Sequence, residues 1–210
     1  TVASVIENNK KYLFVEEFVQ DLVVLNQPAG HLEENETIEE ACAREVLEET
    51  AYIVKGYRTA VAKAKKGGFK NYRSDDMAVD VLKYLVGQVP GLDPTTIDDV
   101  IVGCANPEGE QGLQVGRLIS ARALGIEVPG ITINRYCASG LEAIAIAVAK
   151  IKSGMGQIYI AGGTESMSLI PMTGYKLSPS YKANMENINY HVSMGATAEA
   201  VAEKFNISRE

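Results

Sequence analysis

Two sets of side chains in this sequence are of types that do chemistry. Cys137 lies within Ile131-Thr-Ile-Asn-Arg-Tyr-Cys-Ala-Ser-Gly140-Leu-Glu-Ala-Ile-Ala-Ile-Ala-Val-Ala-Lys150, a stretch that reads as a buried strand, a sharp turn and a helix. β-branched residues from Ile131 to Ile133 argue strand. Ala143, Ile144, Ala147, Val148 and Ile151 recur at helical spacing, and Gly154 stops the run. A thiol where strand gives way to helix meets unpaired backbone N–H groups and the positive end of the helix dipole, which favour thiolate, the nucleophilic form. A free cysteine is also among the most often buried residues, so geometry alone leaves a second reading, an inert packed thiol.

The second set is Glu45, Glu48 and Glu49, on a helix expected over Thr37 to Thr50. Thr37 can cap that helix, with Glu40 completing a capping box. Offsets of three and four residues put the three carboxylates on one face. Like charges so placed repel, and a bound cation reverses that cost. Hard oxygen ligands suit Mg²⁺ or Mn²⁺. The alternative is a solvated acidic face.

The elements that must position these residues follow in order. Thr1 to Ile6 and Lys11 to Val19 read as a hairpin around Glu7-Asn-Asn-Lys10, with Val23 to Leu25 as a further short strand. From Ala51 the chain alternates. Strands are expected at Tyr52 to Tyr57, Asp99 to Cys104, Ile131 to Ile133 and Gln157 to Ala161. Helices are expected at Asp75 to Val86, capped by Ser74, at Leu113 to Leu124, closed by Gly125, and after Cys137. Met167 to Tyr190 reads as a long irregular excursion and Ala196 to Phe205 as a last helix. Such alternation means an α/β fold with βαβ units and a mainly parallel sheet. Ala62 to Arg73 is a loop in which Lys63, Lys65, Lys66, Lys70 and Arg73 form a basic cluster, read as a solvated surface before a phosphate site. His31 and His191, the two histidines, fall in loops.

Charge divides the chain. It carries a net −7, but residues 1–50 hold Lys10, Lys11 and Arg44 against twelve acids, while the remainder is slightly positive. This suggests two segments, 1–50 and 51–210, joined near Thr50 without a Gly/Pro/Ser-rich linker. The acidic segment argues against nucleic acid as a partner. No apolar run suits a membrane helix and no signal peptide opens the chain. Cys42, Cys104 and Cys137 form no spaced pair, which suits a reducing, cytoplasmic setting.

The words around Cys137 go further. Asn134-Arg-Tyr-Cys-Ala-Ser-Gly-Leu-Glu-Ala resembles the nucleophile segment of thiolases, the acetyl-CoA acetyltransferases and 3-ketoacyl-CoA thiolases. Ala161-Gly-Gly-Thr-Glu-Ser-Met-Ser168, Tyr57-Arg-Thr-Ala and Met194-Gly-Ala-Thr-Ala-Glu199 are also similar to blocks of that family, so the resemblance covers 51–210. It implies a thiolase-like N-terminal domain. It also implies acyl transfer from acyl-CoA, with Cys137 as nucleophile and a coenzyme A thioester as substrate. The family has glycine where Ala62 stands. Its activating histidine and second cysteine come from a C-terminal half, whose Gly-His-Pro and Cys-x-Gly-Gly-Gly blocks do not occur here, so no efficient turnover is expected of this chain alone. A sheet edge that meets a partner subunit in the family implies self-association, as a homo-oligomer or an aggregate.

Residues 1–50 resemble a different family. Gly30, Glu36, Arg44, Glu45, Val46, Glu48 and Glu49 match the Nudix box, with Ala51 where that family has glycine. The resemblance implies metal ligation by Glu45, Glu48 and Glu49, oriented by Arg44, and Mg²⁺-dependent hydrolysis of a nucleoside diphosphate derivative. The strands and helix that complete a Nudix sandwich do not follow, so only a hairpin and box helix are expected. Three readings therefore stand: a thiolase-type acyltransferase that is incomplete as it is, a Nudix-type hydrolase, and a non-catalytic chimeric or truncated fragment.

Overall fold

The structure, a computed structural model, describes residues 51–209 and the backbone of Val15–Val19 and Leu22–Asn26. These two short strands, β1 and β2, pair antiparallel with Val19 opposite Leu22. β1 falls within the strand expected at Lys11–Val19 and β2 contains Val23–Leu25, while the other expected arm of the hairpin, Thr1–Ile6, lies outside the described residues. The helix expected over Thr37–Thr50 lies outside them too.

Two compact units follow from the backbone contacts, one ending at Met172 and one spanning Thr173–Glu210. The first is built on three parallel strands, β3 (Asp99–Gly103), β4 (Gly130–Ile133) and β5 (Tyr159–Gly163), in the order β4-β3-β5. Helix α1 (Ser74–Gly87) precedes β3, α2 (Val115–Ala123) joins β3 to β4, and α3 (Ser139–Lys152) joins β4 to β5. A parallel sheet must be covered on both faces, and its central strand shows it. Val100 and Val102 pack with Val79 and Leu82 of α1 and Val115 and Ile119 of α2. Ile101 points the other way, onto Ala143 and Ala147 of α3. Alternate residues of β3 therefore feed separate cores.

Charge ties the α1–α2 layer. Asp75 is buried in the first turn of α1, and its carboxylate accepts from Arg73 Nε at 2.9 Å and Arg122 Nη1 at 2.9 Å. A buried carboxylate needs such partners. Glycine lets layers approach where a side chain would collide: a Cβ on Gly116 of α2 would strike the Ile131 carbonyl of β4.

Several elements depart from the sequence expectations. Helix α1 starts at Ser74 with Arg73 at the N-cap position and no side-chain cap, so Ser74 is a buried first-turn residue instead of the cap. Helix α2 starts two residues late because Leu113 and Gln114 both adopt positive φ, at 51° and 58°. The strand expected at Tyr52–Tyr57 does not form. A strand exists only by pairing, and this segment pairs with no strand among the described residues; its Tyr57 packs edge-on to Tyr84 of α1 at 4.9 Å. A cavity of about 280 Å³ separates it from β5, lined by Lys55, Tyr57, Leu82, Ile160 and Gly162 among others.

The second unit is helical. Helix α4 (Tyr181–Glu186) is capped by Ser180, a 3₁₀ turn follows at Ile188–His191, and α5 (Met194–Phe205) is capped by Ser193 and ends at Asn206 with φ 54°. The excursion expected through Tyr190 therefore contains regular structure, in pieces too short to show periodicity. No helix among the described residues is long and apolar enough to cross a membrane.

Candidate active site

Cys137 sits at the C-terminal end of β4, two residues before α3 begins, and its side chain is exposed. In the described residues this thiol is accessible and not packed. The turn that carries it is held at each residue. Tyr136 has φ 46°, left-handed backbone that a non-glycine residue adopts at a cost. Tyr136 N donates to Asn134 Oδ1 at 2.8 Å. The Ser139 hydroxyl, nearly fully buried, accepts from Arg135 N at 2.8 Å and donates to Tyr136 O at 2.6 Å. Arg135 pairs with Glu142 at 2.8 Å across the first turn of α3.

The helix N-terminus beside Cys137 has no side-chain cap, since Ala138 stands at the N-cap position. First-turn amides of an uncapped helix and the helix dipole offer a developing oxyanion or a thiolate favourable partners. Close approach to the sheet fixes this end of α3. A Cβ on Gly103 would lie 2.5 Å from the Ser139 carbonyl carbon and 2.7 Å from Gly140 N, and one on Gly163 would lie 3.6 Å from Gly140 Cα.

Behind the turn lies a buried polar cluster. Gln111, fully buried, places its amide nitrogen 2.9 Å from Asn106 O, 2.5 Å from Glu165 Oε1 and 3.4 Å from Cys104 Sγ. Its carbonyl oxygen accepts from Ser166 N at 2.5 Å, and Glu165 Oε2 accepts from Ala105 N at 2.6 Å. Burial, and then the Glu165 charge, push the Cys104 thiol up to about 11. Cys104 is thus a packed, proton-retaining thiol, and Cys137 is the accessible one.

Of the residues singled out in the sequence, the structure brings together Cys137 and the Ala161–Ser168 block, whose Gly163 and Glu165 brace the turn through Gly103 and Ala105. His191, in the second unit, holds Asn184 Oδ1 at 2.7 Å through Nδ1. In the basic loop Lys65 has φ 62° and donates its N–H to Ser168 Oγ, while Arg73 is engaged with Asp75. His31, Arg44, Glu45, Glu48 and Glu49 lie outside the described residues. Among the described residues no group of three or more His, Cys, Asp or Glu could hold a metal ion. Sequence reasoning missed Gln111, Gly103 and the bridging role of Asn134, whose partners are far away in the chain.

The profile of the Thiolase, N-terminal domain, matches residues 51–210. The chain belongs to the thiolase family. Among curated proteins it is 48% identical over 161 residues to a 3-ketoacyl-CoA thiolase of Bacillus subtilis (strain 168), covering 76% of this chain and 41% of the relative. It is 40% identical over 161 residues to a 3-ketoacyl-CoA thiolase of Chromohalobacter salexigens, covering 75% and 40%. It is 39% identical over 177 residues to a 3-oxoadipyl-CoA/3-oxo-5,6-dehydrosuberyl-CoA thiolase of Escherichia coli (strain K12), covering 76% and 44%. The chain thus spans about two-fifths of the length of these curated relatives. The match begins at residue 51, so the Nudix-like reading of residues 1–50 stands on its sequence pattern alone.

Proposed function

We propose that this domain takes an acyl group from an acyl-CoA onto Cys137. The observation that carries the reading is the placement of Cys137: exposed, at the end of a parallel strand, on a braced left-handed turn, beside an uncapped helix N-terminus. In the step, Cys137 Sγ as thiolate attacks the thioester carbonyl. The carbonyl π electrons move to oxygen, first-turn N–H groups stabilise that oxyanion, and collapse expels the coenzyme A thiolate. The product is an S-acyl cysteine, and the departing thiolate takes a proton from solvent. Relatives named as 3-ketoacyl-CoA thiolases support a coenzyme A thioester as the donor.

The test is incubation with acetyl-CoA followed by peptide mass mapping. An acetyl adduct on the Cys137 peptide, absent from Cys137→Ala, is expected. A folded chain that acquires no adduct at Cys137 overturns the reading.

We infer, as the alternative reading, a Nudix-type hydrolase from the pattern Gly30, Glu36, Arg44, Glu45, Val46, Glu48 and Glu49. On a helix, that spacing would put the three carboxylates on one face, a set that suits Mg²⁺, and the metal would supply an activated water against a diphosphate. The expected result is Mg²⁺-dependent release of phosphate or nucleotide from nucleoside diphosphate derivatives, lost in Glu48→Gln. Turnover that ignores both the metal and Glu48→Gln removes this reading.

A further inference from the structure

The turn before α3 is held from outside itself. β3, β4 and β5 end side by side, and the residue or two beyond each is stitched to the next. Glu165, after β5, accepts the Ala105 N–H through Oε2 at 2.6 Å. Ala105, after β3, offers its carbonyl to Asn134 Nδ2 at 3.0 Å. Asn134, after β4, accepts the Tyr136 N–H through Oδ1 at 2.8 Å. Tyr136 is the left-handed residue that aims the chain into Cys137. The Asn134 amide can sit in only one orientation, because the reverse would face two donors at Tyr136 and two acceptors at Ala105.

We propose that Asn134 is the positioning residue for the Cys137 nucleophile. The proposal rests on the reading of Cys137 as acyl acceptor. Asn134 touches no reacting atom. Its oxygen closes a side-chain turn onto Tyr136 N, of the kind Asn and Asp form two residues ahead. Its nitrogen anchors that turn to Ala105, and through Ala105 to Glu165 and the buried Gln111. The turn by itself would leave a non-glycine residue in a disfavoured conformation. The anchor makes the conformation a property of three strand ends and keeps Cys137 Sγ in one place relative to the N-terminus of α3. Placing a nucleophile in this way lowers the barrier without adding affinity for substrate.

The experiment compares wild type, Asn134→Ala, Asn134→Asp and Asn134→Thr in two measurements, with melting curves to show that each is folded. One is the single-turnover rate of Cys137 acylation across acetyl-CoA concentrations. The other is hydrogen exchange at the Tyr136 amide, with Val102 in β3 as reference. In Asn134→Ala the saturating rate is expected to fall by roughly tenfold or more with half-saturation unchanged. Tyr136 exchange is expected to accelerate while Val102 does not change. Asn134→Thr is expected to recover part of the rate, because a hydroxyl also accepts from the backbone two residues on. Asn134→Asp is expected to stay impaired, because it puts a carboxylate against the Ala105 carbonyl. Acylation of Asn134→Ala at the wild-type rate overturns the proposal, whatever the exchange shows. If wild type itself acquires no acyl group, the Cys137 reading fails instead. The exchange data then still decide the turn: unchanged Tyr136 exchange in Asn134→Ala overturns the positioning role, and faster exchange supports it.

Discussion

Iodoacetamide added to the native chain at pH 8 is expected to alkylate Cys137 and spare Cys104, with initial rates that differ by about a hundredfold or more. Burial sets this ratio in two ways, through access and through the thiol's proton affinity. Cys137 is exposed, whereas Cys104 shows 1% of its surface behind Gln111 and Glu165. The Cys104 thiol is also held at about 11, so at pH 8 about one molecule in a thousand carries the thiolate that reacts. Peptide mapping separates both from Cys42. Equal labelling of Cys104 and Cys137 in a folded sample would sink the assignment of roles.

The same shift fixes the sign of a stability effect. The thiol's ordinary value is 9.0 and the folded value is higher, so between them the folded chain holds a proton that the unfolded chain releases. Stability from this group is fully present below pH 9 and is lost as pH rises toward 11, by at most about 1.4 kcal/mol per pH unit. Tyr72, by its hydrogen bond to Asp80, and Tyr159, by burial, are also shifted upward and add their own alkaline dependence. The comparison must therefore be a difference. Between pH 8 and 10.5 wild type is expected to lose about 2 kcal/mol more than Cys104→Ala by denaturant unfolding. Parallel losses would show that Cys104 is not shielded.

What the sequence made legible here was what is local. The strand–helix alternation, the βαβ order and the strand–turn–helix around Cys137 all rest on periodicities shorter than one element, and the structure keeps them. What depended on a partner was not legible. Tyr52–Tyr57 has the composition of a strand but pairs with no strand among the described residues, and its Tyr57 packs edge-on against Tyr84 of α1. Ser74 has the chemistry of a cap, but tertiary contacts bury it and Thr164 donates to its carbonyl at 2.7 Å. Asn134 and Gln111 look like ordinary loop residues until residues 29 and 54 positions away arrive beside them. Polar networks of this kind are set by the sheet, and no window of the sequence contains them.

Gly103 is where sheet and site meet, and its substitution is expected to disrupt both. A Cβ there would lie 2.5 Å from the Ser139 carbonyl carbon, 2.6 Å from its oxygen and 2.7 Å from Gly140 N. All three are backbone atoms, so no rotamer change relieves the clash, and either α3 or β3 must move. Overpacking of this kind costs about 1–3 kcal/mol, and more where the backbone resists. For a chain of this length 3 kcal/mol corresponds to a fall in Tm of roughly 6–12 °C. Moving α3 off the sheet also moves the turn that Ser139 ties to Tyr136, so Gly103→Ala is expected to acylate at Cys137 far more slowly even in the fraction that folds. Gly140→Ala supplies the contrast. It lies on the other side of the same contact, where an added Cβ meets nothing within 4 Å, and it replaces a helical glycine. Its Tm is expected to hold or rise, since Ala in a helix is favoured over Gly by up to about 1 kcal/mol. Equal Tm for the two variants would mean that α3 does not rest on Gly103. A lowered Tm confined to Gly103→Ala, with Cys137 acylation lost alongside it, would place the nucleophile's geometry in the packing of one helix end on one strand end.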